Sequence, residues 1–123
     1  MNNKLLQFLT TELPELTNLV FMEEVEDDLI KLVTKVDEDC LEEAFNALRK
    51  LNANPRLGKR LEDKYGMDLT DYFKHYVCNA NVRIVYKQSV VDGQLIAEIW
   101  TIACRKDFEA YVRTFNRLQA RKR

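Results

Sequence analysis

Apolar positions change spacing several times along the chain, and the changes divide it into helices and strands. Leu5, Leu6, Phe8, Leu9 and Leu13 recur at near-helical spacing up to Pro14, so residues 1–16 read as a short amphipathic extension that either packs on the domain or covers a partner site. Thr17 to Met22 is a short run in which Val20 and Phe21 favour a first strand. From Glu23 to Val36 the stripe Val25, Leu29, Leu32, Val33 and Val36 predicts a helix whose first turns carry Glu23, Glu24, Glu26, Asp27 and Asp28, acids that suit a helix N-terminus. A second helix is predicted from Asp37 to Ala53, with Asp37 or Asp39 as cap and Leu41, Ala44, Phe45, Leu48 and Leu51 as its apolar face. The two form a helical hairpin able to cover a sheet.

Asn54 to Thr70 contains Pro55, Gly58 and Gly66 and reads as an irregular connection; its cations are either a solvated loop or part of a phosphate-contacting rim. Three strands follow. DYFKHYV leads into one in which Val82, Ile84 and Tyr86 alternate with Arg83, Val85 and Lys87, a half-buried pattern. In LIAEIWTIAC both parities are apolar, with Leu95, Ala97 and Ile99 on one and Ile96, Trp100 and Ile102 on the other, which marks a central strand covered on both faces. Asp92-Gly93 supplies the turn between these two strands. Phe108, Tyr111, Val112, Phe115 and Leu118 stripe a closing helix capped by Asp107, with Arg113, Arg117 and Arg121 on its exposed side.

The predicted fold is therefore α+β in the order β-α-α-β-β-β-α: a small, mostly antiparallel sheet covered by a helical hairpin and a C-terminal helix. A single domain over 17–123 follows the N-terminal helix. With 123 residues the chain suits one core, and no apolar run approaches the roughly 18 residues of a membrane span. The N-terminus lacks the layout of a signal peptide, so a soluble, cytoplasmic protein with no membrane association is expected. Cys40, Cys78 and Cys104 lie far apart and form no metal-binding cluster, so all three are expected as reduced, buried thiols. His75 is the sole histidine, which excludes any mechanism built on a histidine pair.

The net charge of −1 conceals an asymmetry. Residues 1–53 carry −7, residues 54–71 carry 0, and residues 72–123 carry +6. A basic C-terminal half fits an anion-binding face rather than uniform charge. On bare chemistry Arg83 is either a phosphate ligand or the partner of a carboxylate such as Asp71, and Tyr111 belongs either to the core stripe or to a site. If the loop between the first two strands of the hairpin has an even residue count, Lys74, Tyr76 and Arg83 share one face of the sheet and His75 takes the other.

The element order, together with PRLGKRLED, VRIVYK and AC-RK-DFEAY, resembles the RelE/ParE superfamily of bacterial toxins from toxin–antitoxin modules, over roughly Asn18 to Leu118. That family places an arginine in a strand of the form R-[IL]-V-Y and a second at the end of the last strand. Its ribonuclease branch adds a tyrosine six residues later and a basic residue nine positions before the first arginine. The resemblance thus implies Arg83, Arg105, Tyr111 and Lys74 as catalytic residues, with Tyr76 standing where a further lysine is frequent. It implies a metal-independent endoribonuclease that cleaves mRNA on the ribosome without a cofactor, is neutralised by an antitoxin, and contacts RNA through Arg56, Lys59, Arg60, Tyr76, Lys87, Lys106, Arg113 and Arg117. The other branches of the family imply a ParE-like inhibitor that binds DNA gyrase, or an inert regulatory member.

Overall fold

A computed structural model describes residues 2–61, 67–104 and 109–122. It has the α+β architecture expected. The elements are α1 (Asn3–Gln7), β1 (Leu19–Phe21), α2 (Val25–Val33), α3 (Glu38–Ala53), β2 (Lys59–Arg60), β3 (Tyr72–Val77), β4 (Val82–Val91), β5 (Gln94–Cys104) and α4 (Glu109–Arg121). The strands form one sheet in the order β1-β5-β4-β3-β2, with β1 parallel to β5 and the remaining pairs antiparallel.

The N-terminal segment packs on the domain. The Asn2 side chain caps α1 by accepting from the Lys4 and Leu5 amides, and the chain continues through a π-helical turn, Phe8–Glu12, and a 3₁₀ turn, Leu13–Glu15. Leu5 and Phe8 are buried, with Phe8 stacked on Phe45 of α3 at a centroid distance of 4.5 Å. Glu12 takes both Nε and Nη2 of Arg49, at 2.7 and 2.9 Å. Apolar burial and a bidentate pair together fasten this segment to α3.

α2 is shorter than its apolar stripe predicts, and α3 begins where Asp37 accepts from the Cys40 amide at 2.8 Å. These helices cover one face of the sheet, burying Leu29, Leu48, Ile84, Tyr86 and Ile99, while α4 covers the other, over Val85, Trp100 and Ala103. The half-buried pattern of β4 holds for Val82, Ile84 and Tyr86 against Arg83 and Lys87, and is corrected at Val85, which α4 covers and which is as buried as Ile84.

The two-sided burial expected of β5 is observed, but its parity is not. Val85 pairs with Thr101 and Tyr86 with Ile99, leaving Trp100 as an extra residue. This β-bulge turns Trp100 to the α4 side and puts Ile102 on the same side as Ile99.

The connection after α3 is also more ordered than its composition predicts. Lys59 and Arg60 form the edge strand β2 on β3, and Gly58 lies so close to the Lys74 carbonyl that an added Cβ would stand 2.5 Å from it. The β4–β5 turn is Asp92-Gly93, both with positive φ, as a two-residue primed turn requires.

The cysteine expectation fails for two of the three. Cys40 at the start of α3 and Cys78 after β3 form a disulfide, their Cα atoms 5.5 Å apart, and only Cys104 is a free thiol. The 38 residues that separate them in sequence hid a proximity created by β3 packing against α3. Among the described residues, no helix is long and apolar enough to cross a membrane.

Candidate functional site

The β3–β4 hairpin assembles the site. Val77 pairs with Val82 across a four-residue loop, so the register sets Tyr76 opposite Arg83 and Lys74 opposite Val85. Lys74, Tyr76 and Arg83 consequently share one face of the sheet, as the even loop predicts. His75, opposite Ile84, faces the helical hairpin, where burial and then the Lys50 charge hold its pKa below the ordinary histidine value. It stands apart from the site.

The helix α4 supplies Tyr111 from the opposite layer. The Arg83 guanidinium carbon lies 5.2 Å from the Tyr76 ring centroid and 5.1 Å from that of Tyr111, between two aromatic surfaces. Lys74 Nζ is 5.3 Å from the Tyr76 ring, and the Tyr76 and Tyr111 hydroxyls are 3.4 Å apart. Tyr111 is 4% exposed and Tyr76 39% exposed, so of the two hydroxyl-bearing side chains Tyr76 is the one open to solvent.

The electrostatics follow from this packing. Burial works against ionisation of Tyr76, but hydrogen bonds from Tyr111 and Lys74, with the Lys74 and Arg83 charges, outweigh it and hold its pKa below the usual tyrosine range. Tyr72, four residues earlier, goes the other way. Burial, then Glu98 and Asp71, push it up to about 12 against a small opposing effect of Arg121. Phenolate absorbance followed against pH should therefore show Tyr76 ionising below the ordinary tyrosine value and Tyr72 only near 12. A single transition at the model-compound value, about 10, would contradict this ordering.

The other candidates divide. Lys59 pairs with Lys74 and extends the cationic rim, whereas Arg60 pairs with Phe73 and lies 5.4 Å over its ring, on the opposite face. Arg56 is exposed in the connection before β2. Lys87 shares the site's face but pairs with Tyr72 and Glu98, four residues and about 13 Å along β4 from Arg83. Arg105 and Lys106 lie outside the described residues, as do Asp107 and Phe108.

The expectation of an exposed arginine face holds for Arg121 and is corrected for Arg113 and Arg117, which are partly buried. Arg117 Nη1 and Nη2 each donate at 2.8 Å to the carboxylate of Asp28, which is 2% exposed, and Arg113 donates to it at 3.2 Å. Arg121 pairs with Glu24 and lies 4.9 Å over Trp100. Arg113 and Arg117 turn inward because α2 presents Asp28 across the edge of β5. The pairing holds α4, and with it Tyr111, against the sheet. In the sequence Asp28 is only a favourable charge in a helix's first turn, and no spacing relates it to arginines 85 and 89 residues away. Among the described residues, no three His, Cys, Asp or Glu side chains group as metal ligands would.

No protein-family model matches the chain, and no curated protein does. Solved structures do match. A mutant of the E. coli toxin RelE in the free state superposes with TM-score 0.54 at 22% identity, over 81% of this chain and 95% of that one. A YoeB/ParE toxin from Agrobacterium tumefaciens matches with TM-score 0.54 at 19% identity, over 72% and 99%. An E. coli RelE mutant in complex with an antitoxin RelBc peptide matches with TM-score 0.50 at 19% identity, over 76% and 88%. The mixed sheet, the helical hairpin on one face and the C-terminal helix on the other thus form the fold of the RelE/ParE toxins, the superfamily that the sequence resembles.

Proposed function

We propose that this chain is a RelE-like toxin of a toxin–antitoxin module that cleaves mRNA on the ribosome, in the cytoplasm, and is held inactive by an antitoxin. The observation that carries the reading is Arg83, held between Tyr76 and Tyr111 beside Lys74. Cleavage by the ribose 2′-hydroxyl requires positive charge where the phosphorane forms, and a guanidinium fixed between two rings is preorganised for that task. The exposed Tyr76 ring offers a nucleobase a stacking surface, and Lys59 and Lys74 line the edge along which a phosphate backbone would run. An antitoxin would cover this basic face; a matched RelE mutant is itself in complex with an antitoxin RelBc peptide.

The test is to induce the chain in bacteria and map new 5′ ends of mRNA. Cuts within translated frames are expected. Arg83→Ala should lower their frequency by about 10²–10³, the usual cost of one donor at developing charge, and Arg83→Ala with Arg105→Ala should abolish them. Growth arrest without new ends, and with gyrase-dependent DNA breaks, would replace this reading with a ParE-like one.

A further inference from the structure

We propose that Tyr76 is the proton acceptor for the attacking ribose 2′-hydroxyl and that Tyr111 positions it, an inference that rests on the nuclease reading above. Three candidates for a proton-transferring group gather here: Tyr76 and Tyr111 lie against Arg83, and Lys74 lies against Tyr76. Burial decides against Tyr111. At 4% exposure it is enclosed by α4 and the sheet, so it works through the neighbour it touches. Tyr76 is open to solvent and lies against Arg83, within reach of a ribose whose phosphate the guanidinium holds.

Charge decides between Tyr76 and Lys74. Proton acceptance by lysine would pair a neutral amine with a neutral phenol. Acceptance by tyrosine pairs a phenolate with the Lys74 ammonium and the Arg83 guanidinium, and the phenolate also gains the hydrogen bond from Tyr111. The present 3.4 Å oxygen separation is long for such a bond and should shorten as charge develops on Tyr76.

The step balances without an outside reagent. The Tyr76 phenolate takes the 2′-hydroxyl proton, the 2′-oxygen bonds to phosphorus, and the bond to the 5′-oxygen breaks to leave a 2′,3′-cyclic phosphate. The departing 5′-oxygen takes its proton from the Lys74 ammonium, and exchange with water restores both groups.

The experiment is single-turnover cleavage of mRNA on programmed ribosomes by the full chain, measured against pH. Wild type should accelerate with pH to an inflection below the ordinary tyrosine value, about 10. Tyr76→Phe should cut the rate by about 10²–10⁴ and remove that inflection, with ribosome binding unchanged. Tyr111→Phe should keep the inflection but move it upward, which a purely structural role would not do. Folding of each variant is checked by circular dichroism, and the Tyr76 ionisation is read directly by NMR of ring-labelled tyrosine. Arg83-dependent cleavage that is as fast in Tyr76→Phe as in wild type, with the same pH profile, would overturn the Tyr76 assignment alone. Folded wild type that cleaves no mRNA would overturn the nuclease reading and the assignment with it.

Discussion

Asp28→Ala is expected to lose about 3–5 kcal/mol of folding stability, because it strips the partner from buried charge rather than removing a pair as a unit. The Asp28 carboxylate receives both Arg117 terminal nitrogens, one from Arg113, and the Ile102 amide at 3.0 Å. Truncation leaves the Arg117 guanidinium facing the Trp100 carbonyl and the Thr101 hydroxyl alone, in a site where its side chain is 13% exposed. Against a typical total of about 5–15 kcal/mol this is a large fraction. Urea unfolding followed by fluorescence of Trp100, the single tryptophan, measures it. Asp28→Asn should lose less, since an amide oxygen can still accept from Ile102. A loss below about 1 kcal/mol for Asp28→Ala would mean that water reaches both arginines once the carboxylate is gone. Function should respond too: these contacts hold α4, so loosening them frees Tyr111 from Tyr76 and Arg83.

Breaking the Cys40–Cys78 disulfide is expected to cost about 4 kcal/mol, from the loop-closure entropy that a 38-residue separation restores to the unfolded chain. The bond joins the N-terminal turn of α3 to the tip of the β3–β4 hairpin, where Cys78, Asn79 and Ala80 all have positive φ. Non-glycine residues adopt that conformation at a cost, so the tip depends on what anchors it. Denaturant midpoints with and without reductant, or for Cys40→Ala with Cys78→Ala, check the magnitude. Thiol labelling before and after reduction should count one and then three reactive cysteines in unfolded protein. Equal midpoints would remove the disulfide from the stability of this fold. In a reducing cytoplasm the pair would stand as thiols and this increment would be absent. The hairpin that carries Lys74, Tyr76 and Arg83 would then be held by sheet pairing and core packing alone.

The sequence by itself determined what depends on local periodicity and on the parity of the chain. α3 with an aspartate cap at its start, the Asp92-Gly93 turn and the two-sided burial of β5 all follow from side chains within a few positions of one another. The shared face of Lys74, Tyr76 and Arg83 follows in part: strand side chains alternate, but whether the intervening loop is even is settled only by the pairing of Val77 with Val82. Only the tertiary structure decided which distant groups meet. The bulge at Trp100, the edge strand Lys59–Arg60, the disulfide and the capture of Arg113 and Arg117 by Asp28 each join residues whose separation carries no signal. Tyr76 shows the boundary most clearly. Its position on the site's face follows from counting once the loop length is known, but its lowered pKa arises from a hydroxyl and two cations brought to it from β3, β4 and α4, and only the folded chain has that environment.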